Sequence, residues 1–243
     1  MTIDLTTLHL DRGAHSSREV GVSVMEAVAW LAGERHTDHP HTASPVIAAF
    51  CRLINDRVGD EERQRLVAYV PRLVGTRAAD EIELRRTMVI ADWAVRSAAA
   101  AALRIAGLVE LAENLSQLPP VTEGKSAREA ARAAIATEET AMRAGEEAAR
   151  AARATRSAAA TERARRVAVV EEAARVASAE AAGSAASAEA AWAAASHTEA
   201  AVHAEAAAEA AVTAWAAAVQ AAVQIPERPI DWTVPLERML DVS

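Results

Sequence analysis

The chain has 243 residues, a formal net charge of −8, and a composition that is 51% apolar but only 3% aromatic. An acidic balance argues against a general affinity for nucleic acid, which needs a basic footprint. The single cysteine, Cys51, rules out an intramolecular disulfide and fits a reducing compartment.

So few aromatics leave the core to Ala, Val, Leu and Ile. Small side chains bury little area each, so stability must come from close approach of helices. The N-terminus has an early acid (Asp4) and no apolar run, unlike a secretory signal. Glu and Arg are spaced throughout the Ala-rich tract, which forbids a membrane span there. The expectation is a soluble, cytoplasmic protein with no membrane partner.

Ile3, Leu5, Leu8 and Leu10 alternate weakly before a turn at Asp11-Arg12-Gly13, so residues 1–16 read as an extended lead-in. A helix is expected from an N-cap at Ser17, with Val20, Val24, Val28 and Leu31 in one row and Gly33 ending it. Residues 34–44 form a polar loop. Ser44-Pro45 then gives an N-cap followed by proline at the first helical position, opening a helix to about Val58. Gly59-Asp60 recaps the chain, and a third helix is stopped or bent at Pro71. Residues 78–118 read as a long helix broken near Gly107 and ended by Pro119-Pro120.

From Ser126 to Gln224 alanine dominates, with no proline, so this tract is helical by propensity alone. A straight helix of 40 residues would be about 60 Å long, so antiparallel hairpins are expected, with turns at Gly145 and Gly183. Residues 126–182 balance ten arginines against nine acids, whereas 183–224 contain four glutamates and no Lys or Arg. Val212, Trp215, Val219 and Val223 make a stripe that should be buried. After Pro226 and Pro229, a short helix opened by Pro235 should dock on the body. The fold class expected is all-α: an N-terminal helical module (1–118), a linker (119–125), an Ala-rich helical region (126–224) and a C-terminal tail (225–243).

Certain first-half stretches are distinctive: Met25-Glu26-Ala27-Val28-Ala29-Trp30-Leu31-Ala32-Gly33-Glu34, Asp38-His39-Pro40, Ser44-Pro45, Asn55-Asp56, Pro71-Arg72-Leu73-Val74-Gly75-Thr76 and Ala91-Asp92-Trp93. On these the chain resembles a family of Ala-rich bacterial proteins with members in phage genomes. The resemblance covers nearly the whole chain and implies a class, not an activity. Members carry cysteines near the positions of Ser23 and Thr42, and their absence here argues against a thiolate metal site.

The sharpest chemical constellation is Glu34, His36, Asp38, His39 and His41, with Glu26 on the preceding helix. Imidazole and carboxylate suit zinc or a similar divalent ion, giving Glu26, His36, Asp38, His39 and His41 as candidate ligands. The plainer reading has Asp38 and Ser44 capping backbone amides while the histidines face solvent. Glu26 and Asp92 sit among apolar neighbours, where a carboxylate either works as an acid or base or pairs with an arginine such as Arg35, Arg52, Arg72, Arg85, Arg86 or Arg96. No nucleophile–base pair or phosphate loop is present, so no catalytic residue and no cofactor is assigned. The expected function is a non-enzymatic interaction or scaffolding protein that presents Ala-rich helix faces to a protein partner or to itself as a homodimer. The alternatives are a metal-dependent enzyme or sensor built on the 34–41 loop, and a nucleic-acid-associated phage or mobile-element protein.

Overall fold

A computed structural model describes residues 3–154, 158–194, 197–222 and 231–242, and the described residues are helical with no strand. The elements in order are α1 (Val24–Leu31), α2 (Pro45–Arg57), α3 (Asp60–Gln64), a 3-10 turn (Arg65–Tyr69), α4 (Val70–Leu73), α5 (Asp80–Trp93), a π-helical turn (Ala94–Ala99), α6 (Ala100–Ile105), α7 (Val109–Ser116), α8 (Gly124–Ala154), α9 (Ala158–Ala193), α10 (His197–Ala222) and α11 (Thr233–Leu240). The all-α class expected from composition is the class observed.

α1 begins later than expected. Its N-cap is Ser23, not Ser17: the Ser23 hydroxyl accepts from the Glu26 amide, and the Glu26 carboxylate accepts from the Ser23 amide. This reciprocal capping box satisfies two amides that otherwise have no helical partner. Val20 therefore falls outside the helix and is exposed. Ser44 caps α2 as expected, accepting from the Ile47 amide, while its own hydroxyl donates to Glu83. Pro71 lies in the first turn of α4, where its missing N–H costs nothing. Gly75 and Gly107 close their helices with φ of +77° and +79°, in the left-handed region that favours glycine.

Neither Gly145 nor Gly183 makes a turn. Gly145 lies within α8 and Gly183 within α9. The cost of one glycine, about 1 kcal/mol, is small against the propensity of its alanine-rich flanks. α8, α9 and α10 run antiparallel in succession. Arg128 to Glu189 (2.6 Å) and Arg175 to Glu138 (3.2 Å) tie α8 to α9, and the Ser184 hydroxyl donates to the Ala207 carbonyl of α10 at 2.8 Å. A methyl group added at Gly183 would meet the Ala210 Cβ at 3.8 Å, ordinary contact, and its φ is not positive. Gly183→Ala is expected to raise stability by about 0.5–1 kcal/mol, seen as a higher midpoint in urea unfolding.

Alanine faces provide the packing. Ala174, Ala177, Ala181, Ala185 and Ala188 of α9 and Ala207, Ala208, Ala211 and Ala218 of α10 are fully buried. They lie against α5, the π-helical turn and α6, where Ala91, Ala94, Ala98 and Ala99 are equally buried. Short side chains let the helix axes come close, so many weak contacts replace a few large ones. Large anchors sit where the layers meet: Trp93 meets Phe50 edge-on at 6.1 Å, and both are buried. Val212 and Trp215 are buried as expected, and Val223 lies outside the described residues. One hydrophobic cluster runs from Ile3 to Met239, through both sides of the 119–125 segment.

The last helix docks on this body. Trp232, Leu236 and Met239 are buried, and Arg72 makes a two-point ion pair with Glu237 at 2.8 and 2.7 Å. Buried Arg86 donates to the carbonyls of Met239 and Val242, closing the end of α11. Pro235 lies inside its first turns, since the helix opens at Thr233.

Candidate functional site

The first turn of α1 aims the Glu26 side chain into the protein, where it is 1% exposed. Four donors converge on its two oxygens. Oε1 accepts from the His15 amide at 2.6 Å and lies 3.3 Å from His36 Nε2. Oε2 accepts from His15 Nδ1 at 2.9 Å and from the Ser23 amide at 2.8 Å. Burial alone pushes the carboxyl up. The amides of Ser23 and His15, the His15 ring and the charge of His36 outweigh it, and the carboxyl is held below its ordinary 4.5. The expected arginine partner is replaced by imidazoles.

These contacts fix the ring tautomers. His15 Nδ1 faces a carboxylate, so it carries the proton. His36 Nε2 faces only acceptors, Glu26 Oε1 and the His15 carbonyl at 3.0 Å, so it too carries a proton. His36 Nδ1 is buried without a partner. Gly21 explains how the His15 ring reaches its seat: a Cβ there would stand 2.4 Å from His15 Cδ2. Any side chain at position 21 would displace that ring.

Of the predicted metal set, the structure brings Glu26 and His36 together and separates the rest. His39 Nδ1 pairs with Asp38 at 2.8 Å, a contact exposed to solvent. Glu34 accepts the backbone amides of His41 and Thr42 at 2.8 and 2.9 Å. The Glu26 oxygens are already filled by N–H donors. Among the described residues, no three His, Cys, Asp or Glu side chains are placed to hold one metal ion. His15 was missed by sequence reasoning because it lies in the irregular lead-in, eleven residues before Glu26, where no periodicity links the two.

Beside this cluster, Glu34, Arg35, His36, Thr37, His39 and His41 line an open groove of ≈ 680 Å³. Three further arginines hold the loop by its carbonyls: Arg18 to Glu34, Arg52 to Asp38 and Arg77 to His41, at 3.3, 3.2 and 2.7 Å. Arg18 also stacks over Trp30 at 4.9 Å.

Asp92, the other buried acid, is a joint. Its oxygens accept from Arg96, Arg238 and the Val121 amide at 3.0, 3.1 and 3.1 Å. This ties α5 to the segment before α8 and to α11, and leaves no oxygen free for acid–base work. Cys51 is equally closed off: burial pushes its thiol up to about 12.

A second surface lies on α8. Its inner side packs on α9, and it touches α5, α7 and the π-helical turn only lightly. Its outer flank carries Ile135 and Met142, 48% and 47% exposed and seven residues apart on one stripe. Trp192 is also half exposed, its ring lying across Gly124, where a Cβ would come within 2.7 Å of it. The side chains of Arg163, Arg165 and Arg166 are not among those described.

No family model, curated protein or solved structure matches this chain. Among the described residues, no helix is long and apolar enough to cross a membrane.

Proposed function

We infer that this chain is a helical interaction protein whose nearest partner is a second copy of itself, paired antiparallel through α8. The observation that carries this reading is the outer flank of α8. Ile135 and Met142 sit half exposed on a helix otherwise covered on one side only. Single exposed apolar residues are ordinary, but two on one stripe make a seam that gains from a cover.

The charges on the same helix are nearly balanced, so its own copy can serve as that cover without like-charge repulsion. α8 carries six basic residues (Lys125, Arg128, Arg132, Arg143, Arg150 and Arg153) and five acidic ones (Glu129, Glu138, Glu139, Glu146 and Glu147), mixed along its length. An antiparallel pairing centred between residues 138 and 139 sets Ile135 against Met142 of the second copy and Arg132 against its Gly145, next to Glu146. The acids at the centre are already offset, Glu138 by Arg175 and Glu139 by Arg143. The pairing is isologous, so every contact is made twice.

Light scattering across a concentration series is expected to show the mass rising from one chain toward two. Ile135→Glu combined with Met142→Glu should hold it at one, because carboxylates would replace the apolar seam. A wild-type protein that stays at one chain throughout, or a double variant that pairs as well as wild type, rules the reading out.

A further inference from the structure

We propose that the face shared by α1, α2 and α3 is a binding site for an extended peptide of the form Leu-x-x-Gly-x-His, occupied by residues 10–15 of the chain's own lead-in as a tethered ligand. The lead-in is gripped from outside itself. Among the described residues, 8–16 make one main-chain to main-chain hydrogen bond, from the Asp11 amide to the Val22 carbonyl at 2.8 Å. Side chains of the body read the rest of this main chain. The Gln64 carboxamide holds Leu10 on both sides, accepting from its amide at 2.9 Å and donating to its carbonyl at 3.0 Å. Asn55 donates to the Asp11 carbonyl at 2.9 Å, and Asp56 accepts from the Gly13 amide at 2.8 Å. Glu26 accepts from the His15 amide at 2.6 Å, and the His36 ring donates to the His15 carbonyl at 3.0 Å.

Bonds to the main chain select an extended segment without naming its residues, and side chains in alternate pockets add the specificity. Leu10 is fully buried and joins the main hydrophobic cluster. Gly13 has a φ of +84°, yet a Cβ there would meet nothing within 4 Å, so conformation and not space selects glycine. The His15 ring donates to Glu26 Oε2 at 2.9 Å. Asp11, Arg12 and Ala14, which lie between these three, are exposed. Glu26 and Asn55 are buried, so an empty seat would leave their polar atoms short of partners. An incoming segment therefore displaces the lead-in by remaking the same bonds. The tether gives the lead-in an effective concentration on the order of millimolar, which shields the site from outside peptides while the chain is intact.

The test uses the full chain with a protease recognition sequence inserted between Ser16, which is exposed, and Ser17, and cut while folded. A fluorescent peptide of residues 3–16 should bind the cut chain saturably by anisotropy, and the uncut chain at least about tenfold more weakly. Leu10→Ala or Gly13→Pro in the peptide should each weaken binding by about tenfold or more, through the emptied pocket or the missing N–H. Arg12→Ala in the peptide should bind like the native sequence. These changes lie in the peptide, so the fold of the protein is untouched. A peptide that does not bind the cut chain, equal uptake by cut and uncut chains, or equal affinity of the Leu10→Ala and Gly13→Pro peptides would overturn the proposal.

Discussion

Replacing Asp92 by alanine is expected to lower the unfolding free energy by about 3 kcal/mol. The side chain is almost fully buried and accepts from three donors on three different segments. Removing it leaves the Val121 amide unpaired inside the protein, and Val121 is itself buried. Arg238 and Arg96 are more exposed, at 46% and 28% of their side chains, so water takes over part of their loss. The largest share of the cost should therefore come from the orphaned amide. Asp92→Asn, which keeps one acceptor, should cost clearly less. Urea unfolding of the two single variants and of Arg238→Ala alone and combined with Asp92→Ala measures this. If Asp92→Ala and Arg238→Ala add without coupling, the ion pair to α11 contributes nothing. The tail would then be held by Trp232, Leu236 and Met239, the Arg72–Glu237 pair and the Arg86 contacts.

Glu26→Ala is expected to cost a similar amount, about 3 kcal/mol, and to change the pH dependence of stability. The carboxylate serves the amides of Ser23 and His15 and the His15 ring, so its removal undoes the cap of α1 and frees the lead-in together. Glutamine is no remedy. Its amide nitrogen would face N–H donors at one of the two positions, so Glu26→Gln should also destabilise. The folded carboxyl lies below 4.5, and the unfolded one near it. Between the two values the unfolded chain binds more protons, so stability rises with pH there. The contribution is present above about 4.5 and is lost as pH falls through the folded value. Wild type should show this acid loss in urea midpoints measured from pH 6 downward, and Glu26→Gln should show a shallower one. An unchanged slope in the variant would mean that Glu26 is not the group responsible.

Much of the scaffold was legible from residue type alone. The Ser44-Pro45 start of α2, the breaks at Gly59 and Gly107 and the helical nature of the alanine tract follow from local backbone chemistry. The docking of the tail follows from its large apolar residues. The start of α1 was legible too, through the Ser-x-x-Glu spacing of Ser23 and Glu26, but the apolar row through Val20 obscured it. Gly145 and Gly183 misled in the opposite sense, because a helix of strong formers tolerates a glycine that a weaker one would not.

The candidate site was half legible. Imidazoles and carboxylates in the 34–41 loop marked the region, and Glu26 was rightly suspected of being buried. Its partner His15 was not visible, since a residue in an irregular segment acquires neighbours only when the chain folds back. Nor could composition say that Glu34 turns its oxygens onto backbone amides, or that three arginines from the lead-in, from α2 and from the segment before α5 converge on one loop.

The sequence by itself determined that this is an alanine-packed helical protein, because helix propensity and apolar periodicity act over a few residues. The tertiary structure alone decided which charges are spent and which remain. A carboxylate's two oxygens and an arginine's five N–H groups are allotted by contacts between distant segments, and no local pattern encodes that allotment.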